Sequence, residues 1–337
     1  MRLLSLAPLR GPGLEALQVL GDLEVDAWSD YVPVKLHSAD ELIARTDGVD
    51  VLIVEADHVP GALFEARPGI RIVASCRADP VNIDLDAATQ AGVPVVHAPG
   101  RNAEAVADLA VGLMYTLLRG IVRADDDVRA SRWIDEGKIA YQRYRGRELR
   151  TRTVGLVGCG AVGQAVVRRL STLAHAVLAF DPYADPDALR AAGAEPVELG
   201  ELLERSDIVS VHAPLNASTR GLLGPGEIGK IKPGALFVNT ARFGIADEEP
   251  LLQALRDGRI AGAAFDHFPN EFLPEDHPLL SMPNVVLTPH IGGATEETEE
   301  TMTSLVAAGI ASLVGGGDPV NVVNPEALAA FAGRGKP

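Results

Sequence analysis

Short runs of apolar residues alternate along this chain with stretches whose apolar positions recur every three or four residues. In the first part, residues 2–6, 23–27, 51–54, 70–74 and 93–96 read as strands, and 13–20, 39–44 and 85–91 as helices. Strands alternating with helices predict a parallel sheet covered on both faces. A long helix is expected from Asn102 to Arg119, with Ala105, Val106, Leu109, Ala110, Leu113, Met114 and Leu117 at helical spacing. Asn102 can cap it, and Pro99-Gly100 marks a boundary before it. The charged stretch 123–138 predicts a solvent-exposed excursion, and the aromatics Trp133, Tyr141 and Tyr144 favour its use as an oligomer arm. A second set of strands is expected at 153–157, 177–180, 207–211, 235–238, 261–265 and 285–287. The last long helix is expected over 295–314, opened by acids that suit its N-terminal dipole. Residues 318–323 could return a strand to the first domain, and the tail 333–337 is expected to fray.

The residues just past each strand of the second set carry chemistry. Gly158-Cys159-Gly160 ends the first, and Asp181 and His212 end the next two. Asn239-Thr240-Ala241-Arg242, Asp266 and Thr288-Pro289-His290 end the other three. In open α/β sheets ligands bind outside the carboxyl ends of the strands, so one rim collects all of these groups. The run Val157-Gly158-Cys159-Gly160-Ala161-Val162-Gly163 has the spacing G-x-G-x-x-G between a strand and a helix, and Asp181 lies eighteen residues past Gly163 at the next strand end. That order predicts a dinucleotide site: a tight turn at Gly158, a close backbone approach at Gly160, and helix-on-strand packing at Gly163.

Composition narrows the possibilities without choosing among them. At 337 residues the length fits about two domains, with 47% hydrophobic and 23% charged residues. A formal charge of −16 argues against nucleic-acid or anionic-membrane partners. The two cysteines, Cys76 and Cys159, lie far apart, so neither a zinc site nor a disulfide framework is expected, and a reduced cytoplasmic setting fits. The opening residues read as a first strand rather than a signal segment, and no apolar stretch approaches the ~20 residues of a membrane span.

Five stretches taken in order resemble the D-isomer-specific 2-hydroxyacid dehydrogenase family, which includes phosphoglycerate dehydrogenases. They are Val81-Asn82-Ile83-Asp84-Leu85-Asp86, Asn102-Ala103-Glu104-Ala105-Val106-Ala107-Asp108, the glycine run, residues 232–242 and residues 283–293. The likeness runs from about residue 50 to 325. It implies an α/β fold of two doubly wound parallel-sheet domains. A Rossmann NAD-binding domain (99–294) is inserted into a flavodoxin-like substrate domain (1–98 and 295–330), the reaction lies in the cleft between them, and the protein is a homodimer. It implies NAD as cofactor and hydride exchange with a D-2-hydroxy acid/2-oxo acid pair.

Carried over by residue, the resemblance makes Arg242, Glu271 and His290 catalytic. An arginine fork suits a carboxylate and the neighbouring carbonyl oxygen, and an imidazole oriented by a carboxylate suits proton transfer. His212 is the rival histidine, assigned to the cofactor wall with Ala213 and Pro214. Asp181 would hold the adenosine ribose and Asp266 the nicotinamide carboxamide, with Thr219, Thr240, Ala241 and Gly293 lining the pocket. Arg77-Ala78-Asp79 would receive the substrate carboxylate. Three departures from the family pattern bear on the substrate. The carboxylate loop carries Asp79 where glycine is usual, and Phe243 comes after the catalytic arginine where it could narrow the site. Glu55-Ala56-Asp57 stands where some phosphoglycerate dehydrogenases carry arginines, so acids would repel a substrate phosphate. Two alternatives stay open: a true D-3-phosphoglycerate dehydrogenase binding phosphate through Arg77 or Arg101, and an NAD-sensing dimer that acts as a corepressor-like binding protein.

Overall fold

In the computed structural model residues 1–333 are described, and the chain divides into two compact units. The first comprises Met1–Asn102 and the segment from Thr295 onward; the second is Ala103–Ala294. The expected frayed tail, apart from Gly333, lies outside the described residues.

The first unit opens with β1 (Arg2–Ser5), α1 (Pro12–Leu20), β2 (Asp22–Val25), α2 (Ala39–Arg45), β3 (Val51–Val54), α3 (Gly61–Ala66), β4 (Ile72–Ser75), α4 (Leu85–Gln90) and β5 (Val95–Val96). The five strands are parallel in the order β2-β1-β3-β4-β5. Every residue of β3 is buried, because helices cover both faces of the sheet. Val51 and Ile53 enter one core with Leu17, and Leu52 and Val54 enter the other with Leu42, Leu63 and Phe64. Each such side chain contributes roughly 1.5–3 kcal/mol on burial. Ser38 and Glu41 form a reciprocal capping box at the start of α2, and Asp84 caps α4. Helix α3 was not legible in the sequence, since a six-residue helix burying only Leu63 and Phe64 is too short to show a period. Residues 99–102 belong to this unit rather than to the next, because Ala98 N donates to Arg77 O at 2.8 Å and Arg101 pairs with Glu55 at 2.6 Å.

The second unit begins with α5 (Ala103–Arg119), α6 (Ile121–Arg129), β6 (Ile134–Asp135), β7 (Lys138–Ile139) and α7 (Ala140–Arg143). It continues with β8 (Thr153–Val157), α8 (Ala161–Leu173), β9 (Ala176–Phe180), α9 (Pro186–Ala192), β10 (Glu195–Pro196), α10 (Leu199–Arg205) and β11 (Ile208–Val211). Then come α11 (Pro225–Lys230), β12 (Ala235–Asn239), α12 (Glu248–Arg256), β13 (Ile260–Phe265) and β14 (Val285–Leu287). The main sheet is parallel with the order β10-β9-β8-β11-β12-β13-β14, so the strand order reverses between β8 and β11. One core packs α5 and α8 on the sheet; the other packs α10, α11 and α12 on its opposite face.

The expected excursion is a helix and a two-stranded hairpin, β6 with β7. Trp133 and Tyr141 are exposed there, but Tyr144 is not a free interface aromatic. Its hydroxyl donates to the carboxylate of Asp127, a buried acid that also holds Arg132 and Arg143. The chain then returns to the first unit through α13 (Glu296–Gly315) and α14 (Leu328–Gly333). Thr295 caps α13 by accepting from Thr298 N, and Met302, Val306 and Ile310 complete the core beside α1. Residues 318–323 do not form a strand. Only one antiparallel bridge joins Val322 to Val96, with His97 N donating to Asn321 O and Val323 N to Val95 O, because proline at 319 removes a ladder donor. Both cysteines are buried and free. Among the described residues no single helix is long and apolar enough to cross a membrane.

Candidate active site

On the second unit the candidate residues lie at the carboxyl ends of the strands and in the loops after them. At the end of β8, Gly158 takes φ +95, and a Cβ there would sit 2.5 Å from Ala213 N after β11. A Cβ on Gly163 would lie 2.3 Å from Gly158 O, so the first turn of α8 needs glycine to close on the strand. Gly160 is exposed and its Cβ would meet nothing within 4 Å, which leaves open space before the α8 N-terminus, beside Ala161 and Val162. Asp181, at the end of β9, accepts Cys159 N at 2.7 Å and Tyr183 N at 2.9 Å, so its carboxylate sits against the glycine turn. Open space over Gly160, a helix N-terminus and an adjoining carboxylate fit a dinucleotide.

His212 and Thr240 are buried together after β11 and β12. His212 Nε2 lies 2.9 Å from Ser210 Oγ, and its Nδ1 lies 3.5 Å from Thr240 Oγ1. Burial pushes its pKa from 6.5 down to about 4, so the ring is neutral at ordinary pH. That does not suit a residue that must carry a proton, and it leaves the rival histidine on the wall. Ala213 is buried and Pro214 exposed at the same strand end; Thr219 donates its hydroxyl to Pro214 O and accepts Asn216 N at 2.9 Å, closing the turn.

Arg242 comes after β12 on a loop stapled by Asn239, which accepts Ala241 N and donates to Arg242 O, each at 3.0 Å. The Arg242 guanidinium is exposed and donates to its own Ala241 O; among the described residues no carboxylate pairs with it. Phe243 does not narrow a site. It is buried, with its ring 5.5 Å from Phe265 and 6.1 Å from Phe268, so the aromatic core claims it.

Glu271 and His290 meet as expected for an oriented imidazole, with His290 Nδ1 2.8 Å from Glu271 Oε1. The bond leaves Nε2 free. Asn270, Glu271 and His290 all adopt left-handed backbone, at φ 53, 58 and 55. Such residues cost about 1–3 kcal/mol each and persist where surrounding structure holds them. Asp266 does much of the holding. It is buried, and its Oδ1 accepts Thr288 Oγ1 at 2.6 Å and Ile291 N at 2.9 Å, while Oδ2 accepts Gly292 N at 2.8 Å. Asp266 was expected at the cofactor; the geometry gives its acceptors to the loop that carries His290. The close approach falls on Gly292, where a Cβ would lie 2.8 Å from Asp266 Oδ2, and Gly293 is the partly exposed neighbour. His267, unremarked in the sequence, packs edge-on against the His290 ring with centroids 5.0 Å apart.

In the first unit, Arg77-Ala78-Asp79 come after β4. Arg77 N meets Ser75 Oγ, Ala78 O faces His97 Nδ1 at 2.8 Å, and Asp79 is exposed. The acids expected to repel phosphate are both partnered. Glu55 takes Arg101 at 2.6 Å and Trp28 Nε1 at 3.2 Å, and fully buried Asp57 takes the backbone and ring of His37. Asn82 braces this edge, donating to Asp57 O at 2.8 Å and Glu55 O at 3.3 Å.

Residues 111–292 match the model of the D-isomer specific 2-hydroxyacid dehydrogenase NAD binding domain. A glyoxylate reductase of Korarchaeum cryptofilum is 37% identical over 90% of this chain and 91% of its own length. A D-3-phosphoglycerate dehydrogenase of Methanocaldococcus jannaschii is 33% identical over 96% of this chain but only 59% of its own. A crystal structure of a Thermus thermophilus protein superposes with a TM-score of 0.82 at 32% identity, covering 96% of this chain and all of that one. The chain belongs to the D-isomer specific 2-hydroxyacid dehydrogenase family. It is an NAD-dependent oxidoreductase acting between 2-hydroxy acids and 2-oxo acids, and neither alternative is favoured.

The buried His212 sets a pH dependence of stability. Between about 6.5 and about 4 the unfolded chain binds a proton that the folded chain refuses, so stability falls as pH drops through that window. Urea unfolding of His212→Gln should show a shallower acid slope there than the parent. Identical slopes would remove His212 as the cause.

Proposed function

We propose that this protein reduces a small unphosphorylated 2-oxo acid, glyoxylate or hydroxypyruvate, with Arg242, Glu271 and His290 as the working side chains. The observation that carries the reading is the 2.8 Å contact between His290 Nδ1 and Glu271, with an arginine two strand ends away that has no carboxylate partner among the described residues. Bound NADH supplies the hydride. Arg242 presents a fork of donors to the substrate carboxylate and its neighbouring carbonyl oxygen. His290 offers the proton on Nε2 to that oxygen, and Glu271 fixes the tautomer and orients the ring. Asp181 takes the ribose hydroxyls, and its charge disfavours a 2′-phosphate. Relatives named glyoxylate reductase support the substrate class. So does Arg101, which is already paired with Glu55 and so is not free to take a phosphate.

His290→Ala should lower kcat by roughly 10²–10⁴ while NADH still binds. Glu271→Gln keeps the shape of the contact but removes its charge, so kcat should fall with little change in KM. NADH should serve better than NADPH by at least about tenfold, or roughly 1.4 kcal/mol, with the gap narrowed in Asp181→Ala. A silent His290→Ala beside an inactive His212→Gln would place the proton on the wrong strand end.

Glyoxylate and hydroxypyruvate should have higher kcat/KM than 3-phosphohydroxypyruvate. With Glu55 and Asp57 already partnered, that preference should change little between low and moderate salt. A clear preference for the phosphorylated acid would overturn the substrate assignment.

The protein also reads as a homodimer through the excursion of the second unit, where Trp133, Ile134, Ile139 and Tyr141 expose apolar surface. Light scattering should give twice the chain mass for the parent and a shift toward monomer for Trp133→Glu with Ile134→Glu. A monomeric parent at micromolar concentration would rule the arm out.

A further inference from the structure

The cysteine count gave no reason to expect a metal, but folding brings three other ligand-bearing side chains together. His267 comes from the end of β13, Glu271 from the loop after it and His290 from the loop after β14. One donor atom from each lies within 4.8 Å of the other two. Glu271 Oε1 is central: 2.8 Å from His290 Nδ1 and 3.5 Å from His267 Nε2. His267 is poorly served by the protein alone. Its Nδ1 is buried without a hydrogen-bond partner, and its Nε2 stands too far from Glu271 for a good bond.

We propose that His267, Glu271 and His290 form a chelating site for a divalent transition metal, best fitted by Zn²⁺, which blocks the reaction by taking the place of the proton between His290 and Glu271. Two imidazoles and a carboxylate are a zinc donor set, and three protein ligands leave a fourth position for water. Zinc bonds of about 2.0–2.1 Å space tetrahedral donors roughly 3.4 Å apart. The Glu271–His267 separation already matches. The Glu271–His290 pair must open by roughly half an ångström, which becomes possible once the proton leaves and the bond it made is gone. Both residues are on exposed loops, so the movement disturbs no core.

With Nδ1 on the metal, the His290 ring keeps its one proton on Nε2 and cannot take a second. A ring that starts as imidazolium releases one proton to solvent on binding. The acid needed for reduction is then never formed; this part rests on His290 being the acid/base. His267 brings its Nε2 to the same carboxylate oxygen, 3.5 Å away, with no good hydrogen bond to break. The charged and titratable groups facing it are Arg242, Glu271, His290 and Asp266. Of these the two acids favour a cation and Arg242 opposes it.

The test is a Zn²⁺ titration of the full-length enzyme against a chromophoric zinc chelator, run beside NADH oxidation by glyoxylate with and without Zn²⁺. The parent should show one saturable site, Zn²⁺ inhibition, and full recovery with EDTA. His267→Val and His267→Asn should lose at least tenfold in Zn²⁺ affinity, and the turnover each retains should be at least tenfold less sensitive to Zn²⁺. Co²⁺ substituted in the parent should give the visible absorption of a four-coordinate site, a readout needing no variant. Tight binding that depends on His267 and Glu271 but leaves turnover untouched would uphold the site and refute His290 as the acid. Absence of a saturable site, or equal affinity and inhibition in both His267 variants, would overturn the proposal.

Discussion

The carboxylate of Asp266 is the constraint on which the geometry of the His290 loop depends. It sits buried at the end of β13 and accepts three hydrogen bonds from residues 288–292. Bonds to a charged acceptor contribute roughly 1.5–3 kcal/mol each. Together they can offset the left-handed backbone of His290 in the same loop, which a shorter or freer connection would relax. Gly292 takes part because any side chain there would collide with the oxygen its amide must reach. His290 is therefore held from behind by Asp266 and from the side by Glu271, and its remaining nitrogen is left for chemistry.

The same logic of strand ends organises the nucleotide side. Gly158 and Gly163 are required by contacts of 2.5 and 2.3 Å with backbone atoms, not by mobility. They bring the α8 N-terminus, Asp181 and the His212–Thr240 pair to the place where the sheet reverses its order. A parallel sheet supplies these positions at fixed spacing. The protein needs only to choose the residues that cap each strand's carboxyl end.

Charge in the sequence and charge in the fold are different quantities here. Glu55 and Asp57 look like a repulsive pair on paper, yet one is neutralised by Arg101 and the other is buried against His37. Phe243 looks like a wall of the site until Phe265 and Phe268 draw it inward. Tyr144 looks like an interface aromatic until Asp127 takes its hydroxyl. Each misreading has one cause: the partner lies far away in the chain or on another element, and local pattern carries no information about it.

Much was legible before folding was considered. Apolar runs such as 51–54 and 153–157 mark strands because both faces of a parallel sheet are buried, and that burial leaves an unbroken hydrophobic signature. The glycine spacing and Asp181 mark the nucleotide turn, since sterics at 158 and 163 admit nothing larger. Arg242, Glu271 and His290 were visible through motif order. Asp266 was found as a strand-end acid but not as the brace of the 288–292 loop, while Asn239, Gly292 and His267 passed unnoticed in their structural roles. The sequence by itself determined the strands, their helices and the chemical groups at their ends, because those depend on local periodicity and short-range sterics. Only the tertiary structure decided which carboxylates are neutralised, which histidine stays uncharged and which two histidines face one oxygen of Glu271, because those depend on burial and on distances between loops remote in the chain.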